Sequence, residues 1–126
     1  MGKVVLADIM RGAQSLFPDA DLVQAGGDAL VTYIRETPDQ KFEGGIRFVS
    51  ARAFRFRAEA HCTVWHLEGA FNQLVEIEDS PWVAELDRPG PPNRRWEMHH
   101  YMVYIEDSGC YEVASESWEW LPEVEI

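Results

Sequence analysis

The sequence predicts one α+β domain, mainly β, in which an N-terminal helix packs on a twisted antiparallel sheet arranged as a sandwich or open barrel. Three observations predict it. The chain has 126 residues with 46% apolar and 12% aromatic content, enough for one packed core and no more than one domain, spanning 1–126. Several segments alternate apolar and polar side chains with the period of two that belongs to strands. Only residues 3–17 carry a long apolar repeat of helical spacing.

In that first segment Val5, Ile9, Ala13 and Leu16 recur on one helical face, with Leu6 and Met10 beside them. Gly12 weakens a helix interior by about 1 kcal/mol relative to Ala, and Pro18 stops continuation. Gly26-Gly27 signals a turn between two apolar runs. Residues 29–36 are β-rich, with Leu30, Thr32 and Ile34 on one face and Val31, Tyr33 and Arg35 on the other. Residues 37–39 and Gly44-Gly45 are expected to bracket a loop. Residues 46–58 read as one Arg-bearing strand whose alternation slips between Val49 and Ala53, a slip that a bulge would absorb.

Residues 61–67 and 71–77 read as two further strands. Ser80 is then a helix cap and Pro81 suits the first helical position, which predicts a turn or two of helix anchored by Trp82, Val83 and Leu86. Residues 88–93 form an exposed loop. From Trp96 to Ile105 both phases are apolar, as in a strand covered on both faces or lying at an interface. Residues 106–109 make a hairpin turn, with Gly109 free to take a positive φ, and residues 110–120 return as the partner strand until Pro122.

Charge is divided unevenly. Residues 1–67 carry eight acids and eight bases, whereas 68–126 carry fourteen acids and three bases, so the net charge of −11 resides in the second half. This balance opposes binding to nucleic acid or to an anionic membrane, both of which want clustered excess cations. Arg47, Arg52, Arg55 and Arg57 fall in one short stretch. The first expectation is internal: Arg55 and Arg57 project from one strand face and pair across a sheet with Glu112 and Glu116, at about 0.2–1 kcal/mol each. Acids left over form an exposed face around Glu76, Glu78, Asp79 and Glu119, where a basic protein partner would dock.

Chemistry-bearing residues are few. His61, Cys62, His66 and His99 are the metal candidates, but no Cys-x2-Cys or His-Glu-x-x-His spacing accompanies them. His99 and His100 are adjacent, so in a strand they point to opposite faces. Cys62 and Cys110 are expected as reduced thiols, and a nucleophilic thiol would need a base and an orienting group that no spacing reveals. Trp65, Trp118, Trp120 and Tyr101, with Arg55 and Arg57, are the residues that would line a ligand cavity, the last two available to an anion. The segment Val4-Val5-Leu6-Ala7 is too short for a signal-peptide core, and no run approaches the ~18 apolar residues of a membrane span, so a cytoplasmic location is the default.

Leu74-Val-Glu-Ile-Glu-Asp-Ser-Pro-Trp-Val-Ala-Glu-Leu86, followed by His100-Tyr-Met-Val-Tyr-Ile-Glu-Asp-Ser-Gly-Cys-Tyr-Glu-Val-Ala-Ser-Glu-Ser117, resembles a pattern in small uncharacterised bacterial β-rich proteins. There a VEDS-W turn precedes an HY-x-x-Y strand and a Gly-Cys turn. The resemblance covers the second half of the chain and implies a bacterial origin and a compact β-rich domain, with no activity attached.

The sequence therefore points first to a non-enzymatic protein-binding or homo-oligomerising domain without a cofactor. The homodimer would use the two-faced strand 96–105. A small-molecule-binding β domain with an aromatic cavity comes second, and a metal- or thiol-dependent enzyme third.

Overall fold

The computed structural model describes residues 2–16, 20–87 and 97–126. In chain order they form strands β1 (Lys3–Asp8), β2 (Ser15–Leu16), β3 (Asp21–Ala25), β4 (Asp28–Glu36), β5 (Lys41–Val49) and β6 (Ala53–Ala58). A 3-10 turn (Glu59–His61), helix α1 (Val64–Leu67), β7 (Gln73–Ile77) and helix α2 (Pro81–Leu86) follow. The chain then forms β8 (His99–Ile105), β9 (Gly109–Ser115), β10 (Ser117–Trp120) and β11 (Val124–Glu125). The fold is mainly β and is built from two antiparallel sheets that do not close into a barrel. One sheet has the order β1-β7-β8-β9-β6. The other has the order β10-β5-β4-β2, with β3 also on β4 and β11 also on β5.

Inward side chains of both sheets make one core. Val31, Tyr33, Ile46 and Phe48 meet Leu74, Tyr101, Val103, Tyr111 and Val113 there, and the Phe48 and Tyr101 rings lie 5.7 Å apart. Part of the outer face of the first sheet is apolar as well. Val75, Ile77, Met102, Tyr104 and Cys110 form a second cluster, covered by Cys62 and Trp65. This explains why β8 is apolar on both phases: both of its faces are covered within the chain, and β7 and β9 pair with both of its edges. Of its described residues, His100–Ile105 are buried within the chain.

The expected N-terminal helix is absent. Residues 3–8 are an edge strand, with Lys3 opposite Ile77 and Asp8 opposite Gln73, and a register shift between Val5 and Ala7. β-branched Val4 and Val5 suit a strand, and β7 offers a ladder whose bonds an isolated helix cannot match. Arg11 at φ 49° and Gly12 at φ 83° then turn the chain. Ile9 and Leu16 are buried as the helical repeat suggested, but Val5 is 54% exposed.

The slip at 50–52 is not a bulge. Val49 ends β5 in one sheet and Ala53 starts β6 in the other. The expected strand 110–120 breaks at the same corner: β9 lies in the first sheet and β10 in the second. Arg52 N–H donates to Ala114 O at 2.8 Å and Glu116 N–H to Val49 O at 3.0 Å, so both chains change sheets together. Gly44-Gly45 lies inside β5 rather than in a loop. Gly45 has φ 152°, and a Cβ there would stand 2.0 Å from Val31 O, so only glycine lets β4 approach. Residues 61–67 are not a strand: His61 ends the 3-10 turn, Cys62 and Thr63 are extended, and Val64–Leu67 form α1, which Thr63 caps through its bonds to His66. Pro18, the loop at 88–93 and Trp96 lie outside the described residues. No helix among the described residues is long and apolar enough to cross a membrane.

Candidate functional site

The site is a chain of polar side chains delivered by four elements. Ser80 caps α2 by accepting the Val83 N–H at 3.2 Å, and Pro81 occupies the first helical position. β8 supplies His100, β9 supplies Glu112, and β6 places Arg55 directly opposite Glu112. His100 lies opposite Ala114, two residues from Glu112, so the imidazole and carboxylate share the outer face as diagonal neighbours.

Four contacts link them. Arg55 grips Glu112 with Nε to Oε2 at 2.8 Å and Nη2 to Oε1 at 3.1 Å. His100 Nε2 meets Glu112 Oε1 at 2.8 Å, and His100 Nδ1 meets Ser80 Oγ at 2.7 Å. Burial opposes ionisation of Glu112, but the bonds from His100 and Arg55 and the Arg55 charge outweigh it and pull the carboxyl down to about 2. An ionised carboxylate only accepts, so His100 Nε2 carries a proton, and in the neutral ring Nδ1 accepts from the Ser80 hydroxyl. His100 and Glu112 are 3% exposed and Ser80 9%. The Trp82 ring meets His100 edge-on at 4.9 Å and carries the Arg55 guanidinium over its face at 4.2 Å.

Two open clefts flank this chain. One, of about 310 Å³, is walled by Arg55, Trp65, Trp82 and Glu85 with Ser80 and His100 at its base. The other, of about 410 Å³, also reaches Ser80 and His100 but is lined by Glu76, Glu78, Asp79 and Asp87. His99 lines it as well, and its Nδ1 lies 2.8 Å from Glu76. Among the described residues no Lys or Arg lines it.

The expected site residues divide among several places. Arg55 and Trp65 do share a cleft. Trp65 also carries the Lys3 ammonium 4.5 Å over its ring. Trp118 and Trp120 lie on β10, edge to face at 5.4 Å, half-buried against the main core, whereas Trp65 packs on the second cluster. Tyr101 is a core residue whose hydroxyl burial pushes up to about 12. Arg57 faces Cys110 rather than an acid, and its Nη1 reaches only His61 O at 3.4 Å. Glu76, Glu78 and Asp79 do gather in one cleft, but Glu119 lies on β10 and pairs with Arg47 at 3.3 Å.

Among the described residues no group of three or more His, Cys, Asp or Glu is arranged to hold a metal ion. His66 Nδ1 is taken by Thr63, His99 Nδ1 by Glu76, and His61 is exposed. Both cysteines are free, and burial pushes the Cys62 and Cys110 thiols up, away from the thiolate a nucleophile requires.

The Ser80–His100–Glu112 chain escaped sequence reasoning, which treated Ser80 as a cap, His100 as one of two adjacent histidines and Glu112 as an arginine partner. The hairpin at 106–109 carried a signal for half of it, because its register makes His100 and Glu112 diagonal neighbours. No spacing signals that α2 folds back over them. Protein-family models, curated proteins and solved structures provide no match to the chain.

Proposed function

We propose that this chain is a binding domain that receives a basic segment of a protein partner in the cleft between β7, α2 and β8. The observation that carries the reading is the concentration of Glu76, Glu78, Asp79 and Asp87 around one concavity of about 410 Å³ with no Lys or Arg among its described lining residues. Three other acids of the second half are answered by arginines of the first. Glu112 holds Arg55, Glu119 holds Arg47, and Glu123 holds Arg11 and Arg35. The cleft thus presents four acids with no Lys or Arg among its described lining residues, and such a field steers cationic partners.

A ten-residue oligoarginine peptide titrated by calorimetry at low salt tests this. Neutralising the four cleft acids (Glu76→Gln, Glu78→Gln, Asp79→Asn, Asp87→Asn) removes contacts of about 0.2–1 kcal/mol each, and binding is expected to weaken about tenfold. Neutralising Glu36, Asp39, Glu43 and Glu125, on the far sheet, is the matched control and is expected to change binding by less than about twofold. Equal weakening by the two sets would reduce the effect to net charge and overturn the reading.

A second observation favours a small-molecule ligand elsewhere. Phe54 and Phe56 are 41% and 50% exposed on edge strand β6, and with Leu22 and Tyr111 they wall an open cleft of about 460 Å³ at the mouth of the two sheets. That size suits a drug-sized apolar molecule. Anilinonaphthalene sulfonate fluorescence that is unchanged by Phe54→Ser with Phe56→Ser would remove this reading.

A further inference from the structure

We propose that Ser80 is a reactive hydroxyl, activated by His100, that attacks small carboxylic esters bearing an aromatic group in the cleft beside Trp65 and Trp82. This proposal is independent of the acidic cleft. It rests on three observations: the 2.7 Å and 2.8 Å contacts that join Ser80, His100 and Glu112 in sequence, the burial of His100 and Glu112, and the cleft of about 310 Å³ that ends on Ser80 and His100.

A helix cap alone does not explain this arrangement. Capping α2 requires only that Ser80 accept the Val83 N–H. It requires neither a buried imidazole nor a buried carboxylate, and burying an ion pair costs desolvation that apolar residues of the same volume avoid. The network does aim one nitrogen of His100 at Glu112 and the other at a hydroxyl, so that in the neutral ring the carboxylate takes the N–H and the hydroxyl faces the bare nitrogen. A nucleophile within reach of a base that a third group orients is the arrangement that hydroxyl activation needs. Relative to the familiar serine-hydrolase order, the two ring nitrogens exchange roles, with the acid on Nε2 and the serine on Nδ1. Ser80 Oγ has two lone pairs, of which the Val83 N–H uses one, so one remains for attack. Trp65 and Trp82 wall the cleft with part-exposed indole surface for an aryl group. Arg55 gives two of its five N–H groups to Glu112 and adds positive charge to the same wall.

The step balances without a co-reactant other than water. The Ser80 Oγ–carbon bond forms at the ester carbonyl as its π pair moves to oxygen, and the hydroxyl proton passes to His100 Nδ1. The tetrahedral oxyanion collapses, the carbon–oxygen bond to the leaving group breaks, and that oxygen takes the proton from Nδ1 and departs as an alcohol. Water then adds to the acyl-serine with Nδ1 as base, releasing a carboxylic acid and restoring Ser80.

Diisopropyl fluorophosphate tests the nucleophile directly, because its transfer forms an Oγ–phosphorus bond and expels fluoride with the hydroxyl proton. The full chain, folded at neutral pH, is expected to take one adduct, which peptide mass spectrometry places on Ser80. Labelling should be at least about a hundredfold slower in concentrated guanidinium, where the network is gone, and in His100→Gln, in line with the ~10²–10⁴ that a positioned base contributes. Ser80→Thr keeps a capping hydroxyl and controls for folding, and it should lose most of the labelling to the crowding of its methyl group. A folded chain unlabelled at Ser80 overturns the proposal, and so does labelling at equal rates in the folded and guanidinium-unfolded chain. That comparison uses only the unaltered protein and stands even if His100→Gln fails to fold.

Discussion

Replacing Glu112 by Gln should cost about 3 kcal/mol of folding stability at neutral pH. The magnitude follows from the site. Burial opposes the charge of Glu112, yet the bonds from His100 and Arg55 bring its carboxyl from the ordinary 4.5 down to about 2. At ~1.4 kcal/mol per pH unit, that gap corresponds to about 3 kcal/mol. Breaking a buried ion pair costs about 3–5 kcal/mol as a rule. Here the lower end applies, because the Arg55 side chain is 51% exposed and regains water when its partner is lost. The assay is urea unfolding followed by tryptophan fluorescence. With a slope of about 2 kcal/mol per molar, the midpoint should fall by about 1.5 M. The sign with pH is fixed by linkage. A carboxyl depressed in the folded state contributes its full stability above about 4.5 and loses it as pH falls through about 2. The difference between the two proteins should therefore be largest near neutrality and shrink toward pH ~2. The depressed carboxyls of Asp28 and Glu123 are common to both proteins and cancel in the difference. A midpoint change under about 0.5 M, or a difference that persists undiminished at pH ~2, would refute the reasoning.

Three further outcomes follow from the same structure. Arg55→Ala should destabilise by about 1–3 kcal/mol, because it strands a buried carboxylate and uncovers Trp82, whereas exposed Arg57→Ala should cost under about 0.5 kcal/mol; equal unfolding midpoints for the two would contradict this division. Gly45→Ala should cost more than about 3 kcal/mol or abolish folding, since its Cβ would meet Val31 O at 2.0 Å with φ at 152°, and thermal melting within a degree or two of the parent would sink the claim. Phe48→Ala, at a 1% exposed side chain shared by both sheets, should cost about 3–5 kcal/mol; a loss below about 1 kcal/mol in the urea assay would mean that the sheets do not share the core described.

Local features of the structure were legible where the information is local. Ser80 and Pro81 open α2 as their residue types demand. The turn around residues 106–109 joins β8 to β9, with Ile105 opposite Gly109. The Arg55–Glu112 pair follows from charge and alternation. The misreadings share a cause. Residues 3–17 carry a helical repeat, but a three-turn repeat with a glycine inside it is a weak preference, and an available edge of β7 outweighs it. At 46–58 and 110–120, alternation continues almost unbroken through a change of sheet, because a crossing of three residues or one looks in sequence like a bulge. Gly44-Gly45 reads as a loop until β4 is known to pass within contact of it.

The candidate site was half legible for the same reason. His100 and Glu112 are separated by one hairpin, and the hairpin register places them on one face. Ser80 joins them only because α2 lies over the outer face of β8, and the four acids of the neighbouring cleft meet only because β7, α2 and β8 converge there. By itself, then, the sequence determined a mainly β chain, its central hairpin, the cap of α2, and an unevenly divided charge. These depend on residues near one another or on period-two alternation, which the chain states directly. Only the tertiary structure decided which strands belong to which sheet, that the N-terminus is an edge strand, and that a serine, a histidine and a glutamate stand in a row. Each of those results from packing between distant segments, where the shared burial of two faces, rather than any local preference, selects the arrangement.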